Sequence, residues 1–168
     1  LSFEYFLDGV KIITNSGFGS QISKKTELLS RLTACQSTLT INDTSITKFE
    51  KNKMVSKVFG NSIKDSFKSF DFHTIKEGGL IGFSGSNNGY EKKFGCTHKR
   101  EIYLDKEKNY LIGKDTIFKE KDGYPIRYAF RFHINPDLSV VKTMSGNSAL
   151  IQISKNKSLI FTIKDENL

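Results

Sequence analysis

Cysteine is scarce in this chain. Cys35 and Cys96 are the only two among 168 residues, and they form neither a C-x-x-C pair nor a zinc spacing. They read as two reduced, small apolar residues. A bridge between them would need Cα atoms within about 7 Å, which their places along the chain do not establish. Long apolar runs are absent as well, and nothing approaches the roughly 18 residues that span a membrane as a helix. The chain opens on Leu1 and runs directly into the strand-like LSFEYFLDG. It lacks the basic start and apolar stretch of a signal peptide, and it reads as a domain cut from a longer protein. No Ser-His-Asp order, P-loop or dinucleotide fingerprint occurs. Gly17-Phe18-Gly19-Ser20 is too short a glycine pattern, without the strand-then-helix context that phosphate binding needs. Histidine is limited to His73, His98 and His133. No two stand at i, i+2 or i+4, so no local metal motif exists.

What the chain does have is aromatic and aliphatic bulk. Hydrophobic residues make up 37%, with 14 Phe and 6 Tyr, enough for one domain over 1–168 to bury a core without covalent staples. The net charge is +8 and the pI is near 9.4, a balance that attracts polyanions. The charges are scattered, with no block of five of one sign. Lys92-Lys93 and His98-Lys99-Arg100 are the densest groups, and many of the lysines suit solvated strand edges. Nucleic-acid binding is not expected, because no basic stripe carries interleaved stacking aromatics.

Period-two apolar patterns mark strands over 2–7, 10–14, 39–41, 54–59, 80–83, 100–104, 110–118, 126–134, 140–144, 149–153 and 159–163. Turn clusters separate them: Asp8-Gly9, Glu77-Gly78-Gly79, Asn88-Gly89, Asp122-Gly123, Asn135-Pro136-Asp137 and Ser145-Gly146-Asn147. Residues 23–32 suit one or two helical turns. Residues 62–70 are ambiguous, 61–69 read as a flexible excursion, and His73 falls in a polar, aromatic-rich loop. Many short strands at this spacing predict an all-β fold, a two-layer antiparallel β-sandwich.

The run 126–134 is the most legible. Ile126, Tyr128, Phe130, Phe132 and Ile134 share one face, predicted to be core, with Phe130 and Phe132 between the layers. Arg127, Ala129, Arg131 and His133 share the other. Guanidiniums about 7 Å apart along a strand suit carboxylate ligands, since each can grip a carboxylate with two parallel hydrogen bonds. They equally suit ion pairs with an Asp or Glu on a neighbouring strand.

Five segments in order resemble the C-terminal β-domain of heparinase II/III-like polysaccharide lyases. SFEYFLDGVKIITNSG is similar to the family's first hairpin, ending on Asn15 and Gly17. RLTACQSTLTIND resembles its Arg-x-Thr-x-x-His block at Arg31, Thr33, Ser37, Thr38 and Leu39. SGSNNGYEKKFGCTHKREIYL resembles its Ser-His-Asp-Gly-Tyr segment and following His-x-Arg strand at Gly89, Tyr90, His98 and Leu104. YLIGKDTI carries Asp115 at an acidic position, and FRFHINPD resembles the closing block at Phe132, His133 and Pro136.

The resemblance implies a parent that pairs this β-sandwich with an N-terminal helical toroid, in the periplasm or cell envelope. Such a parent cleaves uronate-containing acidic glycans by β-elimination. A non-catalytic carbohydrate-binding or scaffolding domain is the alternative. The implied site has Gln36, at a family histidine position, and His98 as catalytic candidates. Arg31, Tyr90, Arg127, Arg131 and His133 are the implied substrate contacts. Some members of the family hold zinc, but here Gln36 and Asn87 replace the expected histidines. Glutamine cannot exchange a proton near neutral pH, and a neutral amide is a poor zinc ligand. No bound cofactor is expected, although His98 with Asp43 could make a weak metal site. The isolated domain is expected to be inactive, its expected partners being the acidic glycan and the helical domain.

Overall fold

The computed structural model describes residues 1–50, 54, 57, 60, 62–64, 67–120 and 126–164. Twelve strands and two short α-helices are named among them. The fold is all-β and sandwich-like, and every strand pairing is antiparallel. The largest sheet has four strands in sequence order: β4 (Ser69–Glu77), β5 (Leu80–Tyr90), β6 (Cys96–Asp105) and β7 (Tyr110–Lys119). A three-stranded sheet joins β1 (Tyr5–Leu7), β2 (Val10–Thr14) and the two-residue β9 (His133–Ile134). A second contains β10 (Ser139–Lys142), β11 (Ser148–Ser154) and β12 (Lys157–Thr162). β3 (Leu39–Ile41) pairs with β8 (Tyr128–Phe130).

Local chemistry explains most of the boundaries. Asp8 and Gly9 take φ of 50° and 79°, the left-handed pair that a tight hairpin between β1 and β2 requires. Helix α1 (Lys24–Ser30) starts where the Ser23 hydroxyl accepts a hydrogen bond from the Thr26 amide, satisfying one donor that the first turn leaves open. Helix α2 (Glu91–Phe94) stops at Gly95, which adopts the left-handed conformation that ends many helices.

Apolar burial is divided between two clusters. Leu39, Ile41, Tyr90 and Cys96 form one, with Phe130 and Ile117 packed on it. Ile12, Ile13 and Ile151 form the other, flanked by Phe3, Phe132, Ile134 and Phe161. The expected single strand over 126–134 is therefore corrected. It breaks between β8 and β9, and its two phenylalanines part company. Phe130 turns to the first cluster and Phe132 to the second, both half-buried, while Tyr128 is 49% exposed. Breaking the ladder lets one short segment close two separate cores.

Three further expectations change. The loop around His73 is part of β4, which pairs along β5. Almost every residue of β4 is exposed, so no apolar alternation marks it, and Asp71 with φ of 55° interrupts the register beside Phe70 and His73. Asn88-Gly89 is an irregularity inside β5 instead of a turn. The expected strand at 54–59 lies mostly outside the described residues, and Met54 and Lys57 are helical. The turn at 122–123 lies outside them altogether, and the excursion at 61–69 does so in part. Within it, Ile63 bridges to Phe49 and Lys68 donates its amide to Asn88 Oδ1. Cys35 and Cys96 are both free thiols, the first half-buried and the second buried.

These packing differences are measurable. Ile41, with no exposed surface, should lose about 2–5 kcal/mol on substitution by Ala. Ile160, 69% exposed on β12, should change by less than about 0.5 kcal/mol. Denaturant unfolding of both variants checks the contrast.

Candidate functional site

β6 builds the centre of the site. Its inward row alternates as a strand must, and that row reads Cys96, His98, Arg100 and Ile102, all buried. Two of those four are basic side chains, so their neighbours have to satisfy them. On β7, Asp115 stands directly opposite Arg100. Its two oxygens accept from Arg100 Nε at 2.7 Å and Nη2 at 2.9 Å, the parallel geometry that suits a guanidinium and a carboxylate. His98 Nε2 lies 2.7 Å from the same Oδ1. The remaining guanidinium nitrogen, Nη1, donates to the backbone oxygens of Ser37 at 2.7 Å and Leu1 at 2.9 Å. The rings of Phe3 and Phe132 lie 5.3 and 5.6 Å from the guanidinium carbon, so the cation is also held against aromatic surface.

The charge states follow from this geometry. Burial lowers the pKa of His98 below its ordinary 6.5, although the hydrogen bond to Asp115 pulls the other way. Burial would raise Asp115, but hydrogen bonds from His98 and Arg100 outweigh it and hold the carboxyl below 3.8. Asp115 is thus a carboxylate accepting from a neutral His98 whose Nε2 carries the proton. His98 is buried, with its Nε2 proton committed to Asp115.

Ser37 extends the network to the other sheet. It has no exposed surface. Its hydroxyl donates to Thr14 O at 2.7 Å and accepts from the His133 amide at 2.8 Å, while Asn15 Oδ1 accepts from the Ser37 amide. β2, β9 and β6 therefore meet on one serine. His133 Nε2 donates to Ala34 O at 3.0 Å, and Gln36 Nε2 donates to Ser30 O at 2.8 Å at the end of α1.

The exposed part is the rim beside β8. Asn42 and Asp43 take φ of 47° and 51°, and Asn42 exchanges backbone and side-chain hydrogen bonds with Arg127. That turn presents Asp43 to both arginines. Arg127 Nη2 bonds Oδ2, and Arg131 Nη2 lies 3.4 Å from Oδ1. Arg131 also donates to Thr40 Oγ1. Two guanidiniums share one carboxylate, leaving the rim with a positive charge. Arg31 sits 4.7 Å from the Phe49 ring.

The other candidates lie inside. Tyr90 is 1% exposed. Its hydroxyl donates to Thr44 O at 3.0 Å, and burial pushes its pKa up to about 12, so it holds the 39–44 turn in place. Asn87 is the cross-strand neighbour of His98. Asp43 and His98, expected together as a weak metal pair, are separated by their partners: the arginines take one and Asp115 takes the other.

Zinc does not fit this donor set. The oxygen of Asn87, its one metal-binding atom, accepts from the Gly89 amide, and its buried Nδ2 is a donor without a partner. Gln36 presents its amide to Ser30. No group of three or more His, Cys, Asp or Glu side chains among the described residues could hold a metal.

Sequence reading singled out His98, Arg131 and Asp115 but did not anticipate the pairing of Arg100 with Asp115 or the junction at Ser37. One signal was present: THKREIYLD places a His and an Arg two apart in a strand whose remaining same-side residues are apolar, and Asp115 occupies the middle of the next strand. The comparisons add a family. A family model described as heparinase II/III-like, C-terminal, matches residues 1–167. Comparison with curated proteins and with solved structures finds no match to this chain.

Because His98 and Asp115 both titrate lower when folded, the unfolded chain takes up protons first on acidification. Stability should be full above pH 6.5, decline as pH falls through that value, and decline again below 3.8. His98→Gln, which keeps a donor near Asp115 but cannot titrate, should flatten the first decline. Urea denaturation of both forms from about pH 8 to about pH 5 measures the slope.

Proposed function

Because the chain belongs to the heparinase II/III-like family, as its C-terminal domain, we propose that it is the substrate-holding part of a polysaccharide lyase-like protein acting on uronate-containing glycans. The observation that carries this reading is the rim, where Arg127 and Arg131 share the single carboxylate of Asp43. A surface ion pair of this kind adds little to stability, about 0–1 kcal/mol. The pairing therefore leaves both guanidiniums available to exchange Asp43 for a ligand carboxylate at small cost.

The chemistry explains why a lyase would use such a rim. In β-elimination a base removes the C5 proton of the uronate, and an acid protonates the leaving glycosidic oxygen. The C5 proton is weakly acidic while the adjacent carboxylate keeps its charge. Cations against that carboxylate stabilise the charge that develops as the proton leaves. Arg127 and Arg131 would supply those cations, with Arg31 and His133 lining the approach. The base and acid would then come from the helical domain that the family pairs with this one. Gln36 does not titrate near neutral pH and so cannot serve as an acid or base, and His98 is buried against Asp115. Both act as positioning residues in this reading, as does Tyr90.

A second reading has its own support. Gln36 and Asn87, which stand where the resemblance implies histidines, are engaged in internal hydrogen bonds, which favours a domain that binds carbohydrate without taking part in bond cleavage. The two readings differ in product, because β-elimination leaves an unsaturated uronate that absorbs in the ultraviolet. Release of that product from acidic glycan by the protein containing this domain supports the lyase reading, and binding with no such product supports the second.

Arg131→Ala should weaken binding of an acidic oligosaccharide about tenfold or more. A charge-assisted hydrogen bond contributes about 1.5–3 kcal/mol, and each 1.4 kcal/mol is about a factor of ten. Neutral oligosaccharides should bind poorly to both forms. Calorimetric titration, paired with a melting curve, separates this from a purely structural role, which would lower Tm and leave the affinity of the folded protein unchanged.

A further inference from the structure

Zinc occurs in part of this family, but the residues present here do not fit it. We infer that Arg100 does the work of a structural cation in this chain: its guanidinium is a built-in charge that ties the sheets together and closes the His98–Asp115 pair to metal. Three observations carry this. The guanidinium engages both oxygens of Asp115 at 2.7 and 2.9 Å, the carboxylate to which His98 is also bonded. It also reaches the backbone oxygens of Ser37 and Leu1, each from a segment outside the β4–β7 sheet. Its exposure is 1%, and aromatic rings lie close to it.

A structural metal ion does comparable work, since it gathers anionic and carbonyl oxygens from separate segments and converts its binding into folding stability. Here one side chain gathers three acceptor residues with no exchangeable ion. A divalent cation approaching Asp115 would meet a fixed positive charge and a carboxylate whose two oxygens are already engaged. His98 would have to give up its proton on Nε2 or bind through its other nitrogen. Asn87, the register partner of His98 on β5, has its oxygen bound to the Gly89 amide and a donor nitrogen left over. That nitrogen repels a cation as well.

The test uses the chain itself, with zinc chloride as the probe and EDTA as the chelator. After dialysis the wild type should contain no stoichiometric zinc, and neither reagent should move its Tm by more than about 1 °C. Arg100→Ala should lower Tm by roughly 10 °C, the scale expected when one partner of a buried ion pair is removed from a domain of this size. It should also bind zinc at least tenfold more tightly than the wild type, because Asp115 and His98 are released. Should that variant not fold, Arg100→Lys keeps the charge but cannot span three acceptors, and should lower Tm by a smaller amount while remaining free of zinc. About one zinc per wild-type chain, lost to EDTA together with Tm, would overturn the inference. So would equal zinc affinity in wild type and Arg100→Ala, or an Arg100→Lys protein as stable as the wild type.

Discussion

A single buried guanidinium determines how the sheets of this domain meet. Arg100 stands on an inward row where a strand would ordinarily place aliphatic carbon. Once it is there, the desolvation cost of its charge obliges Asp115, Ser37 and Leu1 to lie where they do. Replacing the whole cluster with hydrocarbon could give a domain of equal stability, so the cluster's consequence is mainly geometric. A guanidinium offers donors in a fixed plane, and its acceptors have to arrive in that plane. Asp115 fixes the register of β6 against β7. The Ser37 carbonyl fixes where the chain enters β3, and the Ser37 hydroxyl fixes β9 against β2 through Thr14 and His133.

The same cluster reaches the surface through backbone positions. Ser37 is followed by Thr38, whose carbonyl accepts from the Arg131 amide, and by Thr40, whose hydroxyl accepts from the Arg131 side chain. Two further residues lead to Asp43. The separation between the buried cation and the exposed pair is therefore short along the chain, and hydrogen bonds at Ser37, Thr38 and Thr40 hold that stretch at both sides. Arg100 provides no surface charge, but it orders the segment that displays Arg127 and Arg131. Tyr90 secures the other end of that segment by bonding the Thr44 carbonyl from within the first apolar cluster.

How much of this was legible follows from what leaves a periodic mark. Strands with one wet and one dry face, such as β11, declare themselves in alternation. β4 does not, because both its faces are open and its register is interrupted at Asp71. The run 126–134 has perfect alternation and yet breaks, because its apolar side chains serve two cores instead of one, a demand that arises only in three dimensions. Arg127 and Arg131 were visible as a charged face, and an acidic partner on another strand was foreseeable. That the partner would be Asp43 depended on two consecutive left-handed residues, Asn42 and Asp43, which no local apolar pattern encodes. Ser37 was noticed as part of a motif, but its function as a junction depends on three strands distant in sequence.

The two kinds of arginine in this domain separate structure from recognition on physical grounds. Arg100 is enclosed and bidentate, and three acceptor residues take four of its hydrogen bonds in the interior, so a ligand would have to displace buried partners to reach it. Arg127 is 78% exposed on its side chain and its carboxylate partner 58%; water already screens that pair, and exchanging one carboxylate for another changes little in total energy. Arg131 lies between these extremes, at 31%, anchored by Thr40 but open towards Asp43. That intermediate burial suits ligand binding best. The anchor removes side-chain freedom before a ligand arrives, and the partial shielding strengthens the interaction once it does. A glycan carboxylate arriving at this rim would therefore be bound chiefly through Arg131, with Arg127 adding attraction and Asp43 acting as the placeholder that the ligand displaces.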